Sequence, residues 1–152
     1  MTNLEVRIVR LEPMLVASAY GFGASPEGIA WEKIRAFAKK KNVSSEKLRT
    51  FGFNNPDPSP GSPNYGYEIW LPVDPEAEPE GDIRISHFAG GLYAVTQFKG
   101  ISNIGAVWQR LVLWCENSQY KKGYHQCLEE LLTPLDVPLE EYVFNLYLPI
   151  VE

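Results

Sequence analysis

The chain has 152 residues and a mass of 17.2 kDa; 45% of its residues are hydrophobic and 22% are charged. This balance, with a net charge of only −5, excludes a disordered chain, and the lack of a long apolar run excludes a transmembrane helix. A pI near 5.1 argues against direct nucleic-acid binding. The length predicts a single domain. Because the first ten residues lack the apolar core of a signal peptide, we expect a cytoplasmic protein that does not bind membranes.

The first half of the chain predicts one strand, one helix and two further strands. The first strand spans residues 6–20 and is interrupted at Pro13, where we expect a bulge or turn. The helix that follows has Ser25 as its N-cap and apolar positions that recur every 3.6 residues. Residues 50–54 and 65–71 form the two closing strands, separated by a turn rich in Pro, Asn, Asp and Ser.

Charged residues gather in two segments of this half. Half of the basic residues lie within residues 33–49, where a run at a helix end is typical of a solvated face near the negative end of the helix dipole. Residues 74–82 hold five carboxylates and two prolines and predict an exposed linker. The prolines and the irregular spacing do not match a calcium-binding loop.

The second half predicts the same elements in the same order. A strand over residues 83–98 is interrupted at residues 90–91, and a helix with Ser102 as its N-cap follows. Residues 127–132 and 142–148 form the closing strands, separated by a proline-containing turn.

The two halves also match residue by residue at one offset of 77 positions, without gaps. Such self-similarity indicates a duplicated supersecondary unit. We therefore predict an α+β domain of two strand–helix–strand–strand modules, residues 4–74 and 81–151, joined by the acidic linker 74–82. The modules would form a pseudo-twofold antiparallel sheet with two main helices. The identical pairs include Leu15 and Leu92, Gly23 and Gly100, Trp31 and Trp108, Tyr65 and Tyr142, and Pro72 and Pro149.

Strand alternation predicts a polar and aromatic face opposite the core. Alternate residues of a strand share a face, so Glu68 and Trp70 lie together, as do Asn145 and Tyr147 at the equivalent positions. Glu129, on the strand expected to pair with the last one, is a further candidate for this face. Aromatic rings beside carboxylates suit a ligand groove. The alternative is a sheet surface covered by loops, with solvated carboxylates.

Cysteine and histidine carry little functional signal. Cys115 and Cys127 form no C-x-x-C pair, and His125 does not complete a metal-ligand set, so we expect reduced thiols, no metal and no cofactor. A nucleophile built from Cys127 and His125 would lack a third, orienting group. His87 and His125 fit surface or strand-end positions better than catalytic ones.

The order of several weak motifs resembles the gyrase-inhibitor-like family, also described as the effector-binding domain of certain bacterial transcription regulators. The matching segments are residues 91–100, the helix over 101–114, residues 128–129 and residues 145–150. The resemblance implies the duplicated fold, and it maps the family's acidic pocket residue to Glu129. Leu128 and Leu131 stand where the family has aromatic residues.

The resemblance implies that the chain binds small molecules. We expect a stand-alone binding protein for lipophilic compounds, including cationic ones, because a carboxylate among aromatic rings combines charge pairing with cation–π attraction. The candidate ligand-binding residues are Glu129, Glu68, Trp70, Tyr93, Tyr147, Asn145 and Trp108.

Two alternatives belong to other functional classes. Some members of the family hydrolyse strained electrophiles such as cyclopropanoid compounds. In such an enzyme Glu129 or Glu68 would act as general base, and Tyr147 or Tyr93 would donate to the developing anion. A protein-interaction module, with a topoisomerase or a regulator as partner, would use the acidic linker.

Overall fold

The computed structural model describes residues 4–43 and 49–152, which contain nine β-strands and two α-helices. The helices are α1 (Pro26–Lys40) and α2 (Ile104–Glu116). The strands are β1 (Arg7–Leu11), β2 (Met14–Gly23), β3 (Phe51–Asn54), β4 (Tyr65–Val73), β5 (Arg84–Phe88), β6 (Gly91–Lys99), β7 (Lys121–Lys122), β8 (Leu128–Leu131) and β9 (Val143–Val151).

The chain divides into two compact units. Unit 1 combines the residues up to Glu12 with Gly90–Glu152, and unit 2 is Pro13–Ala89. The strands of unit 2 pair in the order β5-β2-β4-β3, and those of unit 1 in the order β1-β6-β9-β8, with β7 also on β9. Every one of these pairings is antiparallel.

Each unit buries one face of its strands under its own helix. In unit 2, Ala30 and Ile34 of α1 pack against Ala17, Ile69 and Leu71. Ile34 and Ile69 are fully buried, and burial of each such side chain contributes about 1.5–3 kcal/mol. In unit 1 the equivalent core joins residues of α2 to β6 and β9; its buried members are Ala94, Val107, Leu111, Cys115, Phe144, Leu146, Leu148 and Ile150.

The predicted α+β class, with an antiparallel sheet and two helices, is confirmed. The predicted helix start at Ser102 is wrong, because residues Ile101–Asn103 form a 3-10 turn before α2 begins at Ile104. The Ser102 hydroxyl lies inside that turn and donates to Glu140 at 2.9 Å instead of capping the helix. Ser25 does precede α1, but its side chain makes no capping hydrogen bond.

The interruptions at Pro13 and at residues 90–91 separate strands that have different partners. β1 pairs with β6 rather than with β2, and β5 pairs with β2 rather than with β6. Each unit thus takes its edge strand from the other predicted half of the sequence. The ladders also agree at the offset of 77: Val16 opposes Pro72 as Tyr93 opposes Pro149. Duplication of residues 4–74 and 81–151 remains a prediction that this agreement favours.

The basic end of α1 and the acidic linker are mostly exposed, as predicted, but they are also joined by ion pairs, which the sequence analysis did not predict. Lys40 and Lys41 both form ion pairs with Glu80, the latter at 3.5 Å, and Lys33 pairs with Asp82 at 3.5 Å. Hydrogen bonding from Lys40, assisted by the charges of both lysines, lowers the pKa of the Glu80 carboxyl below its usual range. None of the described helices has the length and hydropathy needed to cross a bilayer.

Candidate functional site

The face of each unit opposite its helix, here called the helix-free face, carries the polar and aromatic side chains. In unit 2 the alternation along β4 places Tyr67 and Ile69 in the core with α1, which leaves Glu68 and Trp70 on the helix-free face. Ser18 of β2 lies opposite Trp70 in the ladder, on the same face. These three side chains are the centre of the candidate site in unit 2.

The carboxylate of Glu68 is held by donors from three segments. Trp70 Nε1 and Ser18 Oγ donate to Oε2 at 2.6 and 2.8 Å, and Asn55 Nδ2 donates to Oε1 at 3.3 Å. Because hydrogen bonds to a charged group are the stronger kind, the carboxylate is fixed in orientation while its side chain stays half-buried. The carboxylate therefore has one defined position on the helix-free face.

Aromatic rings surround the indole of Trp70. Phe53 approaches it edge-on with ring centroids 4.8 Å apart, and Phe88 lies tilted at 5.2 Å. Phe53 and Phe88 are themselves buried, whereas Trp70 is half-buried. Rings at these distances attract one another and hold the indole in place, so Trp70 presents a rigid apolar surface beside the carboxylate.

A cleft of about 630 Å³ adjoins this cluster within unit 2. Its volume is in the range of small-molecule sites. Charged and hydroxyl-bearing side chains dominate its wall: the lining residues are Ser18, Tyr20, Lys33, Glu68, Gly81, Asp82, Arg84 and Ser86.

Unit 1 places a second carboxylate and an aromatic donor on its own helix-free face. The Tyr147 hydroxyl donates to Glu130 Oε1 at 2.6 Å, and both residues are buried, with exposures of 3% and 5%. Asn145, two residues before Tyr147 on β9, accepts from the Arg7 guanidinium at 3.4 Å. A charged or ionisable pair with so little exposure is held by hydrogen bonds rather than by water.

Tyr93 completes the aromatic group of unit 1. Its ring meets the rings of Tyr147 and His125 edge-on at 5.6 and 4.8 Å, and its hydroxyl donates to the Gln126 carbonyl at 2.5 Å. Burial, with smaller contributions from the Cys127 thiol and Tyr147, raises the pKa of Tyr93 above its usual value. Tyr93 is therefore a protonated hydrogen-bond donor at neutral pH.

The carboxylates of Glu68 and Glu130 belong to equivalent cross-strand residue pairs, but to different strands of the pair. In unit 2 Phe53 of β3 opposes Glu68 of β4, and in unit 1 Glu130 of β8 opposes Asn145 of β9. At the offset of 77 these residue pairs coincide, and the aromatic donors Trp70 and Tyr147 coincide as well. Each unit therefore has one carboxylate in this residue pair. Trp70, two residues after Glu68, donates to Glu68, and Tyr147, two residues after Asn145, donates to Glu130.

The sequence profile of the GyrI-like small molecule binding domain matches residues 4–151, nearly the whole chain. The chain belongs to the GyrI-like family. The resemblance stated from the motifs is thus confirmed, and the chain is a small-molecule-binding domain. No curated protein matches it significantly.

Solved structures with this GyrI-like fold share little sequence with the chain. EcmrR in its complex with DNA has a TM-score of 0.79 and 14% identity, and the match covers all of this chain and 59% of EcmrR. The chain thus spans less than two thirds of that protein. A hydrolase from Listeria innocua gives 0.72 and 11%, covering 99% and 94% of the two chains. SAV2435 bound to tetraphenylphosphonium gives 0.62 and 11%, covering 97% and 94%.

Within this GyrI-like domain the predicted site residues fall into three groups. Glu68 and Trp70 lie together in unit 2, as predicted from alternation. The helix-free face of unit 1 carries Tyr93, Asn145 and Tyr147. These three side chains are much more buried than the wall of an open groove would be. Glu129 and Trp108 form the third group, on the helix side of unit 1.

The prediction that Glu129 shares a sheet face with Asn145 and Tyr147 is wrong. Glu129 opposes Leu146, a core residue, and its Oε2 accepts from Trp108 Nε1 of α2 at 3.0 Å. Leu128 opposes Tyr147 instead, so alternation brings the next acid, Glu130, to the helix-free face. The adjacent pair of glutamates conceals this one-residue shift unless the register of β8 against β9 is known.

The remaining candidates have structural contacts. His125 Nε2 lies 2.8 Å from the Leu92 carbonyl oxygen, and Cys115 is buried under α2 while Cys127 is half-buried. Among the described residues, no three acidic, histidine or cysteine side chains are placed to hold a metal ion. The candidate site in each unit therefore consists of a carboxylate, its aromatic donor and neighbouring rings.

Proposed function

We propose that this domain binds lipophilic organic cations through carboxylates that aromatic donors hold on the helix-free faces. The observation that carries the proposal is the recurrence of one arrangement: Trp70 donates to Glu68 and Tyr147 donates to Glu130, each at 2.6 Å. A carboxylate fixed beside rings offers a cation both charge pairing and cation–π contact, the latter worth about 0.5–2 kcal/mol.

Glu130, rather than Glu129, is the acid that we assign to this function in unit 1. Glu129 accepts from Trp108 of α2, and its position opposite the core residue Leu146 puts it on the helix side of β8, away from Tyr147. The binding of tetraphenylphosphonium, a lipophilic cation, by SAV2435 supports the choice of ligand class through the shared fold. Contact with flat aromatic rings requires no precise hydrogen-bond pattern, so such a site would accept cations of varied shape.

Titration calorimetry with tetraphenylphosphonium tests the proposal. We expect saturable binding, about tenfold weaker in Glu68→Gln and in Glu130→Gln, because each substitution removes a charge while keeping the side-chain shape. Glu129→Gln is the matched control and should bind like the wild type. The uncharged relative triphenylphosphine oxide should bind weakly to all four proteins.

Two results would contradict the proposal. One is equal affinity for the cation in the wild type, Glu68→Gln and Glu130→Gln. The other is a loss of affinity in Glu129→Gln as large as in Glu130→Gln. A loss in only one of Glu68→Gln and Glu130→Gln would assign binding to that unit.

A second candidate function, hydrolysis of strained electrophiles, is favoured by the Glu130–Tyr147 pair together with Tyr93. Glu130 could accept a proton from an attacking water. The Tyr93 hydroxyl, which burial keeps protonated, could turn from the Gln126 carbonyl and donate to the anion that forms on ring opening. The Listeria innocua relative is described as a hydrolase. Mass spectrometry of a cyclopropane-bearing electrophile should then reveal a product heavier by one water, lost in Glu130→Gln; no turnover above the buffer rate would refute this candidate.

A further inference from the structure

Arg84 is a charged residue of the unit 2 cleft that has no role in the proposed function. It lies on the edge strand β5, is exposed, and lines the cleft together with Ser86. In the ladder it opposes Ser18, which in turn opposes Trp70, so Arg84 is two strands away from the indole on the same face. Among residues 4–43 and 49–152, no hydrogen-bond or ion-pair partner of its guanidinium is found.

The other charges of the cleft already have partners. Lys33 and Asp82 pair with each other at 3.5 Å, and Lys33 also donates to the Tyr20 carbonyl at 2.9 Å. Glu68 accepts from Trp70, Ser18 and Asn55 rather than from Arg84. The cleft thus presents a fixed anion and a separate cation to whatever enters it.

The equivalent arginine of unit 1 provides a contrast. Arg7 lies 77 positions before Arg84 and opposes Val95, which opposes Tyr147, as Arg84 opposes Ser18 and Ser18 opposes Trp70. Its guanidinium donates to Asn145, the counterpart of Glu68. The same edge position is therefore engaged within unit 1 and open in unit 2.

We propose that the unit 2 cleft, which adjoins the Trp70 ring, binds zwitterionic aromatic molecules. The ammonium group of such a molecule would pair with Glu68, and its carboxylate would pair with Arg84. The ammonium half of this inference rests on the proposed function; the carboxylate half rests on Arg84. The guanidinium fork matches a carboxylate with two parallel hydrogen bonds. The Ser86 hydroxyl, beside Arg84 on the cleft wall, supplies a further donor.

Two probes that differ only in the carboxylate test this assignment. 5-Fluorotryptophan and 5-fluorotryptamine share a ring and an ammonium group, and ¹⁹F NMR titration measures both dissociation constants with the full chain. We expect the wild type to bind the amino acid about tenfold more tightly than the amine, the order of one charge-assisted pair. Arg84→Gln should remove this preference by weakening only the amino acid, whereas Arg7→Gln, with the same change in net charge, should keep it.

The outcomes separate this inference from the proposed function. A preference for the amino acid that survives in Arg84→Gln, or a wild type that binds the amine at least as tightly, would overturn the role of Arg84. Binding of tetraphenylphosphonium but of neither probe would also overturn it and leave the proposed function standing. Failure of Glu68→Gln to weaken either probe, with no binding of tetraphenylphosphonium by the wild type, would refute both.

Discussion

The indole nitrogen of Trp70 donates to the carboxylate of Glu68, its neighbour but one on β4, at 2.6 Å. Residues at i and i+2 of a strand share a face, so this bond needs no other part of the fold to bring its partners together. It nevertheless fixes a negative charge at the wall of a cleft of about 630 Å³. The indole therefore sets the orientation of the carboxylate that lines the cleft.

Replacement of Trp70 by Phe keeps a ring and removes this donor. We expect an unfolding free energy lower by about 1 kcal/mol and a severalfold weaker affinity for tetraphenylphosphonium, because Glu68 becomes freer to move. Trp108→Phe is the matched control, since it removes the bond to Glu129 on the helix side. It should cost similar stability and leave affinity unchanged, as measured by urea unfolding and calorimetry. Unchanged affinity in Trp70→Phe, or an equal loss in Trp108→Phe, would contradict the expectation.

Replacement of Tyr147 by Phe tests the buried pair of unit 1. Its hydroxyl donates to Glu130 where both residues are almost fully buried, so we expect a loss of about 2–3 kcal/mol on urea unfolding. Tyr142→Phe removes a hydroxyl that donates to the Leu135 carbonyl at 2.7 Å from a half-buried ring, and should cost about 1 kcal/mol. Equal losses in the two variants would show that the Glu130 contact has no special weight.

Local periodicity was sufficient to predict most elements and the partnership of Glu68 with Trp70, because both depend on residues close in sequence. The exchange of β1 and β5 between the predicted halves was not predictable, since Pro13 and the glycines at 90–91 indicate a break but not the new partner. Phe88 consequently reaches Trp70 through a pairing that the sequence does not reveal.

The prediction of which glutamate faces Tyr147 in unit 1 was wrong for a related reason. Glu129 and Glu130 are adjacent, and only the pairing of Leu128 with Tyr147 decides which of them faces the ring. A one-residue change of register moves every side chain of a strand to the other face. The ion pairs of Glu80 with α1 likewise join segments far apart in sequence, whereas composition alone indicated solvated charge.

Gly66 should be intolerant of a side chain. A Cβ at this position would overlap the Asn55 carbonyl oxygen, and that backbone is tied to Gly66 by the bond from Asn55 N to Gly66 O at 2.8 Å. We expect Gly66→Ala to lose about 3 kcal/mol on urea unfolding and to weaken cation binding, because Asn55 helps to hold Glu68. Gly28→Ala is the control: its Cβ would meet nothing within 4 Å on α1, and it should gain up to about 1 kcal/mol. Similar stability in the two variants would refute the steric argument.

The contact of Glu80 with Lys40 and Lys41 should be visible in the pH dependence of stability. The lysines lower the folded-state pKa of Glu80, so its contribution is present above the ordinary carboxyl pKa and is lost as the pH falls through the folded value. Carboxyl-detected NMR should find Glu80 titrating below its usual range, and Lys40→Met should move the pKa upward.

Lys39→Met removes a neighbouring charge that is absent from these ion pairs and should leave the titration of Glu80 nearly unchanged. Added salt should raise the pKa of Glu80 in the wild type, since exposed pairs are screened. Either an ordinary titration of Glu80 in the wild type or an equal shift in Lys39→Met and Lys40→Met would mean that the acidic segment is not held on α1 in solution.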